Sequence, residues 1–363
     1  MAAADSRTVE VAGRTIEISN PDKVYFPGAG ATKIDLIDYY IRIAGPLLRA
    51  TERRPALLQR FPEGALGKSF FQKRVPSSAP DWLETVEVST PNGTTSNALV
   101  IADVAHVVWA VNLGCIGFHL WPFRVERPDP PDQPDPPDQP DSPDGSPPAG
   151  RPDQADELRI DLDPQPGLGF EAVREAAACV RDLLAELGVS AAPKTSGNRG
   201  LHVYARLQAR WDSIEVRSAA VALARELERR HPDLITAKWW KEERGKRIFV
   251  DFNQNAPHKT VFGAWSVRPR TGAQVSTPLR WEELESVQPD ELTIGTVPDR
   301  VERDGDAWAA MPDEPQSLEP LLELAARDRA AGLHDAPWPP QYPKQPDEPS
   351  RVAPSRARKE PEA

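Results

Sequence analysis

The sequence is poor in cysteine and has no long apolar segment. Its 363 residues include only two cysteines, Cys115 and Cys179, which lie far apart and form no CxxC or Cys/His spacing. This pattern excludes a disulfide framework and gives no indication of a zinc site. No segment is apolar for long enough to cross a bilayer, and the N-terminus lacks a basic start followed by an apolar run. We therefore expect a soluble cytoplasmic protein with no membrane partner.

The net negative charge is concentrated in two parts of the chain. The formal net charge is -11, of which residues 126–157 carry -8 and residues 301–363 carry -5. The rest of the chain carries +2, with its basic residues in local clusters. The overall acidity therefore does not exclude a nucleic-acid partner.

Proline and aspartate alternate in an insert predicted over residues 127–155, which contains RPDPPDQPDPPDQPDSPDGSPPAG. Because proline removes hydrogen-bond donors and the aspartates repel one another, we predict an extended, solvated loop there. The chain is predicted to form one domain over residues 1–303, interrupted by this insert. Residues 304–363 are expected to form an amphipathic helix near SLEPLLELAARDRAAG and then a disordered, charged tail.

Helix and strand signals alternate through the rest of the sequence. TVEVAGRTIEIS predicts a hairpin that turns at Ala12-Gly13. Helices are predicted to begin at caps formed by Thr32 and Asp103, and Pro46 is expected to end or kink the first of them. FEAVREAAACVRDLLAELG and DSIEVRSAAVALARELERRHP predict two more helices, and CIGFHLW, LRIDLDP, GLHVYARL and KRIFVDFNQN predict strands. The predicted fold class is α/β (α+β).

Two aspartates end a predicted strand in LRIDLDPQPG. Asp161 and Asp163 are two residues apart, so both side chains lie on one face of the strand. A lone DxD pattern is common and is more often structural than functional. A third carboxylate, Asp251, ends the strand predicted in KRIFVDFNQN, and all three converge if the strands are neighbours. Clustered carboxylates favour divalent cations such as Mg²⁺ or Mn²⁺, and a two-metal site is typical of nucleotidyl transfer.

A glycine-rich turn and nearby basic residues could bind a triphosphate. KTSGNRGLHVYARL offers Ser196, the fork of Arg199 and the imidazole of His202. Further basic residues are found on both sides of the third aspartate in the sequence: Arg244, Lys259 and Arg268. Taken singly, SGNRG fits an ordinary hairpin turn, and His202 a half-buried histidine, better than a phosphate site. Each basic residue is more often part of a solvated charged face than of a binding site.

Six motifs in this order resemble the primase-polymerase domain of bacterial ligase D, a branch of the archaeo-eukaryotic primase superfamily. They are NPDKVYFPGAGATKIDLIDYY, SFFQKRVPSSAPDWLETV, FHLWPFR, RIDLDPQPG, TSGNRGLHVY and FVDFNQN followed by KT. The resemblance extends from about Val9 to about Pro298. It implies an archaeo-eukaryotic primase-like catalytic core of two packed sheet-and-helix modules, one of them RRM-like.

The resemblance also implies roles for individual residues. The catalytic, metal-binding residues would be Asp161, Asp163 and Asp251. Nucleotide-binding residues would be His119, Ser196, Arg199, Gly200, His202, Arg244, Gln254 and Arg268, to which we add Lys259. Lys23 and Lys33 would bind the 5′-phosphate of a downstream DNA strand, since lysines act as point charges for a terminal phosphate. Phe70 and Phe71 would stack on the template, although strand alternation predicts that one of them is buried in the core.

The function implied is template-directed addition of ribo- or deoxyribonucleotides to DNA 3′ ends, during gap filling and end processing in non-homologous end joining. The cofactors would be Mn²⁺ or Mg²⁺ at a two-metal site. The expected partners are NTP or dNTP, DNA ends, gaps and template-primer, a Ku-type end-binding protein and a separate ATP-dependent DNA ligase. No ligase motif is found in the sequence, so we expect a stand-alone polymerase module associated with the nucleoid.

Two other interpretations are compatible with parts of the sequence. One is an accessory module that binds DNA ends without activity. The other is a metal-dependent nucleotide-sugar glycosyltransferase, a class that also uses a DxD motif. The third aspartate, the SGNRGLH turn and the two N-terminal lysines favour the polymerase.

Overall fold

The computed structural model describes residues 6–126, 154–311, 315–345 and 347–351. The α-helices are α1 (Lys33–Arg42), α2 (Ala44–Thr51), α3 (Val104–Asn112), α4 (Phe170–Glu186), α5 (Ser213–Arg230), α6 (Val297–Asp304) and α7 (Glu319–Ala330). In the described ranges, none of them is long and apolar enough to span a membrane. The predicted insert at 127–155 lies outside the described residues, apart from Gln154 and Ala155.

Fifteen β-strands accompany these helices in the described part of the chain. They are β1 (Ser6–Val11), β2 (Arg14–Ser19), β3 (Val24–Phe26), β4 (Ala31–Thr32), β5 (Pro55–Arg60), β6 (Phe70–Gln72), β7 (Thr85–Ser89), β8 (Thr95–Val100), β9 (Cys115–Leu120), β10 (Glu157–Pro164), β11 (Ala192–Thr195), β12 (Leu201–Arg206), β13 (Ile235–Thr236), β14 (Ile248–Val250) and β15 (Val261–Phe262).

Local signals in the sequence correctly predict several element boundaries. The β1–β2 hairpin turns at Ala12 and Gly13, which both have positive φ, the geometry of a tight hairpin turn. Thr32 and Asp35 form a capping box at the start of α1. Helix α1 ends at Arg42, and Ile43 separates it from α2. Pro46 lies in the first turn of α2, where the N–H that proline lacks would have no partner within the helix.

The first sheet contains strands from the N-terminal half and one later strand. Its order is β15-β9-β5-β8-β7, and β6 pairs with β5 away from that path. Helix α3 packs against β9 and α1. His119 on β9 lies directly opposite Phe262 on β15, so the late strand brings residues near 262 to the motif near 119.

The second sheet has the strand order β11-β12-β10-β14-β13. In chain order, β10, α4, β11, β12, α5 and β14 form a split β-α-β arrangement with antiparallel neighbours, and β13 is added in parallel at the edge. This is the RRM-like module that the resemblance implies. Leu158, Ile160 and Leu162 of β10 are buried in the core with residues of α4 and α5, which leaves Asp161 and Asp163 on the opposite face.

Buried arginines join the two sheets. Arg159 of β10 donates from Nη1 to the carbonyl of Leu120 (2.9 Å) and from Nη2 to that of Trp121 (2.8 Å). Arg54, next to β5, forms a bidentate pair with Asp156, just before β10. Because breaking a buried, hydrogen-bonded ion pair leaves an uncompensated charge, these contacts fix how the sheets face each other.

The C-terminal region departs from the prediction. A helix, α7, is present where one is predicted, and it packs against α5. The sequence that follows is predicted to be disordered, yet Trp338 and Tyr342 are only 3% and 6% exposed. The burial of two aromatic side chains orders this segment despite the proline-rich, charged composition around them. Residues 352–363 lie outside the described part of the chain.

Candidate active site

Three carboxylates meet where β10 and β14 lie side by side. Asp161 and Asp163 are on β10, and Asp251 directly follows β14, with its backbone N–H donating to the carbonyl of Asp161 (2.9 Å). One oxygen of each carboxylate lies within 4.8 Å of the others. The predicted strand through Asp251 is shorter than expected, because Phe252–Asn255 form a 3₁₀ turn. That turn orients the Asp251 side chain toward Asp161 and Asp163 on β10.

The charges of the three carboxylates repel one another. Burial, together with Asp163 and Asp251, holds the pKa of Asp161 well above its ordinary value. Burial, followed by the charge of Asp163, raises the pKa of Asp251 to about 6. Such a cluster of hard oxygen donors fits a divalent cation, because the cation removes the repulsion and takes oxygen ligands. The residues present can therefore hold metal.

Gln254 contacts the carboxylates directly. Its Nε2 donates to Asp251 Oδ2 (2.9 Å) and to Asp161 Oδ2 (3.3 Å). The resemblance places Gln254 among the nucleotide-binding residues. In the structure its amide bridges Asp161 and Asp251, two of the three candidate metal ligands. Its position is set by the 3₁₀ turn that follows Asp251.

The turn between β11 and β12 lies against the first two aspartates. Ser196 Oγ accepts hydrogen bonds from the backbone N–H groups of Asn198 (3.2 Å) and Gly200 (3.1 Å), which closes the turn. A Cβ on Gly200 would lie 2.5 Å from the carbonyl oxygen of Leu162, the residue between the two aspartates. Only glycine permits this approach. Arg199 is exposed at the tip. Burial raises the pKa of Asp163, and the charge of Arg199 offsets part of that rise.

His202 lies opposite Asp161 in the β10–β12 pairing. Its Nε2 is 3.4 Å from Asp161 Oδ1, while its buried Nδ1 has no hydrogen-bond partner among the described residues. Burial, with the charges of Lys194 and Arg268, holds the pKa of His202 well below its usual range. The imidazole is therefore neutral near pH 7, and one ring nitrogen lacks a protein partner.

A row of contacts runs from the surface into the site. Phe71 packs edge-on against His119 (centroids 5.3 Å apart), and His119 packs in the same way against Phe262 (5.1 Å). The Arg268 guanidinium lies 3.6 Å from the centroid of the Phe262 ring, and its Nε donates to the carbonyl of Ser196 (2.6 Å). Residues from both sheets therefore meet in one region beside the three aspartates, which we call the cleft.

The basic residues of this cleft are largely buried. Burial lowers the pKa of Arg268 to about 10, so the side chain is charged at neutral pH. Arg244 lies 3.5 Å from the centroid of Phe249 and donates to the carbonyls of Lys238 and Trp239. Lys259 is near enough for its charge to offset part of the rise in the pKa of Asp251 that burial causes.

Lys194 is a cleft residue that the sequence analysis did not select. It is fully buried on β11 opposite His202, and its Nζ donates to Ser276 Oγ (2.5 Å). Its charge acts on Asp161, and burial holds the pKa of Lys194 well below its ordinary value. A lysine inside a short strand is unusual enough to have indicated a special site, because lysine is almost never fully buried unless it is paired.

Lys23 and Lys33 form a separate basic cluster at the N-terminal end of α1. Lys23 pairs with Glu63 (2.7 Å). Lys33 is only 4% exposed, and its Nζ donates to the carbonyls of Ser19 and Asn112. Burial, followed by the charge of Lys23, lowers the pKa of Lys33 to about 8.

Phe70 and Phe71 correct one expectation. Strand alternation predicts that one of the pair is in the core, but they are 48% and 54% exposed. The reason is that β6 is a short strand paired only with β5 among the described strands. Arg60 lies over the Phe70 ring (5.2 Å), and Phe71 contacts His119. Each ring therefore contacts another side chain on one side and is open on the other.

Comparison with known proteins gives a consistent result. The family model described as "LigD, primase-polymerase domain" matches residues 32–308. The multifunctional non-homologous end joining DNA repair protein LigD of Mycobacterium tuberculosis is 34% identical over 295 residues, which cover 80% of this chain and 36% of that protein. The multifunctional LigD of Pseudomonas aeruginosa is 31% identical over 313 residues, or 85% of this chain and 34% of that protein. This chain thus spans about a third of each of these two relatives.

A solved structure is also similar. The polymerase domain from Mycobacterium tuberculosis ligase D in complex with DNA superimposes with a TM-score of 0.71 at 32% identity. The match covers 82% of this chain and 99% of that domain.

Proposed function

The chain belongs to the LigD primase-polymerase family, and from this premise we propose that it is a DNA-directed nucleotidyltransferase. It adds ribo- or deoxyribonucleotides to DNA 3′ ends, in gap filling and end processing during non-homologous end joining. The observation that carries the proposal is the convergence of Asp161, Asp163 and Asp251 beside a buried cationic cleft. Membership of the family supports the assignment of this cleft as the polymerase site.

The three aspartates hold the metal in this proposal. Two divalent cations, Mn²⁺ or Mg²⁺, would activate the primer 3′ hydroxyl and neutralise the departing pyrophosphate. Asp251 lies between the end of β14 and the 3₁₀ turn, and the other two aspartates lie on β10. The carboxylates therefore reach the site from two neighbouring strands. Rigid placement on neighbouring strands preorganises the ligands before substrate arrives.

The β11–β12 turn and the cleft bind the incoming nucleotide. Ser196, Arg199, Gly200 and His202 surround the triphosphate, and the free Nδ1 of His202 supplies an unused hydrogen-bonding atom. Further positive charge and contacts to the nucleotide come from His119, Arg244, Gln254, Lys259 and Arg268. Because Arg268 is fixed by its contact with the Phe262 ring and its hydrogen bond to Ser196, it holds the triphosphate without reorganisation.

The DNA contacts combine a buried lysine with more exposed residues. Lys23 and Lys33 bind the 5′-phosphate at the far side of a gap, and Phe70 and Phe71 stack on the template. The open side of each ring agrees with base stacking. So do the contacts that hold the rings in place, from Arg60 to Phe70 and from His119 to Phe71. A 5′-phosphate must compete with Glu63 for Lys23. A Ku-type end-binding protein, a separate ATP-dependent ligase and location at the nucleoid complete the proposal.

The test is extension of a labelled primer across a short gap that carries a 5′-phosphate, with Mn²⁺ and each NTP or dNTP separately. We expect addition of the nucleotide complementary to the template. Addition that ignores the template would contradict DNA-directed synthesis. Gap binding without addition would leave an accessory end-binding module, and transfer from a nucleotide-sugar in place of extension would indicate a glycosyltransferase.

The low pKa of Lys33 predicts a pH dependence for recognition of the 5′-phosphate. Because that pKa lies near 8 rather than 10.5, Lys33 loses its charge as the pH rises through about 8. Above pH 7.5 the phosphate is already fully ionised. The ratio of affinities for 5′-phosphate and 5′-hydroxyl gaps should therefore fall about tenfold between pH 7.5 and 9.5.

Fluorescence anisotropy of the two gapped substrates measures this ratio. Lys33→Met, which keeps the length of the side chain, should give a low ratio that does not change with pH. A wild-type ratio that stays constant up to pH 9.5 would show that Lys33 does not contribute its charge to the phosphate.

A further inference from the structure

The C-terminal segment, residues 333–345 and 347–351, lies beyond the part of the chain that matches the family. It packs over α5 and the 3₁₀ turn that carries the third aspartate. Trp338 and Tyr342 form a small buried cluster with Ala256, close after that turn. The Tyr342 hydroxyl also donates to the carbonyl of Pro257. The segment therefore covers the back of the turn that begins at Asp251.

Arg217 of α5 connects the segment to the turn. It is 1% exposed, and its Nε donates to Asn253 Oδ1 (2.7 Å). From the same guanidinium, Nη1 donates to Asp335 Oδ1 (2.9 Å) and Nη2 to the carbonyl of Ala336 (2.8 Å). The Trp338 ring lies against the guanidinium, with 4.0 Å between Cζ and the ring centroid. One buried cation thus has partners in both the segment and the turn.

Asn253 transmits this arrangement to the third aspartate. Its side chain is held at both ends, because Oδ1 accepts from Arg217 and Nδ2 donates to the carbonyl of Pro337 (3.0 Å). Its backbone N–H donates to Asp251 Oδ1 (3.1 Å). A carboxylate that accepts such a bond has a preferred orientation, so movement of Asn253 would turn the Asp251 side chain.

The segment is also folded onto itself. The carboxylate of Glu348, which is 6% exposed, accepts from the backbone N–H groups of Trp338 (2.9 Å) and Gln345 (3.1 Å). Arg351 pairs with the same carboxylate. These contacts close the segment into a loop around Trp338, the residue that lies against Arg217.

We propose that the C-terminal segment is an internal brace that positions Asp251 for metal binding, acting through Arg217 and Asn253. The inference rests on the proposed function insofar as it assigns metal binding to the three aspartates. Groups that orient a metal ligand contribute about 10- to 100-fold to metal affinity or activity. Arg217, Asn253 and the segment are positioning elements, since none of them is assigned to substrate.

The experiment compares the full chain with Trp338→Ala, Asp335→Asn and a matched control, Leu333→Ala. Leu333 begins the same segment, and its side chain is 43% exposed. Mn²⁺ affinity is measured without DNA or nucleotide, from the signal of free Mn²⁺ in electron paramagnetic resonance. Primer extension over a range of Mn²⁺ concentrations gives kcat and the nucleotide KM.

We expect both Trp338→Ala and Asp335→Asn to weaken Mn²⁺ binding about tenfold. Excess Mn²⁺ should restore their extension rate, with the nucleotide KM unchanged, and Leu333→Ala should match the wild type. A general loss of structure would lower activity at every Mn²⁺ concentration instead. Asp335→Asn preserves side-chain size and decides the question if Trp338→Ala does not fold.

Mn²⁺ affinities of folded Asp335→Asn and Trp338→Ala within twofold of the wild-type value would overturn the brace. That outcome is distinct from failure of the polymerase function. A wild-type chain that binds Mn²⁺ but extends no primer would refute the polymerase, while the brace would still be judged by the Mn²⁺ affinities.

Discussion

Asp161→Asn is expected to lower the rate of primer extension about a thousandfold or more, the largest effect of any single substitution considered. A divalent cation supplies several kcal/mol of transition-state stabilisation, and losing about 4 kcal/mol corresponds to a factor of about a thousand in rate. Asp161 lies in the middle of the cluster, with His202 on one side and Gln254 on the other. Its loss therefore removes a ligand that no neighbour can replace.

The same substitution should stabilise the metal-free protein. Its three carboxylates have raised pKa values, so the folded state binds protons more tightly than the unfolded state. Stability is lost as the pH rises from the ordinary value of 3.8 through the folded value, which is about 6 for Asp251. Asp161→Asn removes one of the repelling charges, so the gain in Tm should be largest near pH 7 and shrink toward pH 4.

Differential scanning fluorimetry with and without Mn²⁺, together with the extension assay, checks both effects. The wild type should gain Tm on addition of Mn²⁺, and Asp161→Asn should not. Asp182→Asn is the control, because Asp182 is exposed on α4 and, within the described ranges, forms an ion pair with its neighbour Arg181. An Asp161→Asn enzyme that retains a tenth of the activity would refute the role of Asp161.

Gly200→Ala should have the second largest effect. The added methyl group would lie 2.5 Å from the carbonyl oxygen of Leu162, a backbone atom held in β10 between the two aspartates. Either the β11–β12 turn or β10 must move, and forced packing of this kind costs about 1–3 kcal/mol. Because the turn carries Ser196 and Arg199, the movement would also misplace the triphosphate contacts.

We expect the nucleotide KM of Gly200→Ala to rise at least about tenfold, with Tm lower by several degrees. Gly169→Ala is the matched control, since a Cβ there meets nothing within 4 Å and the φ of -81° suits alanine. Steady-state kinetics with varied nucleotide and thermal melting measure the two effects. A Gly200→Ala protein with wild-type KM and Tm would show that the turn can relax away from β10 without consequence.

The acidity of the chain does not extend to the cleft. Lys194 and Arg244 are buried and Arg268 is half-buried near the three aspartates, and their charges act on one or more of those carboxylates. The net charge of -11 comes mostly from residues 126–157 and 301–363. Local charge, rather than the average, decides whether a cleft can bind a polyanion.

Features that depend on neighbours in sequence were determined by the sequence alone. The turn of the hairpin at Ala12-Gly13 and the capping box of Thr32 and Asp35 involve residues at most three apart. The common face of Asp161 and Asp163 follows from the two-residue period of a strand. The ordered motifs also indicated the family, because six of them in one order are far more specific than any one alone.

Features that depend on distant parts of the chain were decided by the tertiary structure. Asp251 joins Asp161 because β14 pairs with β10, ninety positions earlier, and no local pattern encodes that pairing. Lys194 becomes a cleft residue only because β11 lies beside β12. Phe70 and Phe71 are both exposed because of the position of β6 in its sheet.

The C-terminal segment shows the same division most clearly. Its composition of proline and charge predicts disorder, since a segment with few apolar residues cannot bury enough surface to offset its conformational entropy. Trp338 finds that surface on Arg217 of α5, which is itself fixed by Asn253, and beside Ala256. Sequence thus determined the parts whose interactions are local, and the packing of distant elements decided which parts meet at the third aspartate.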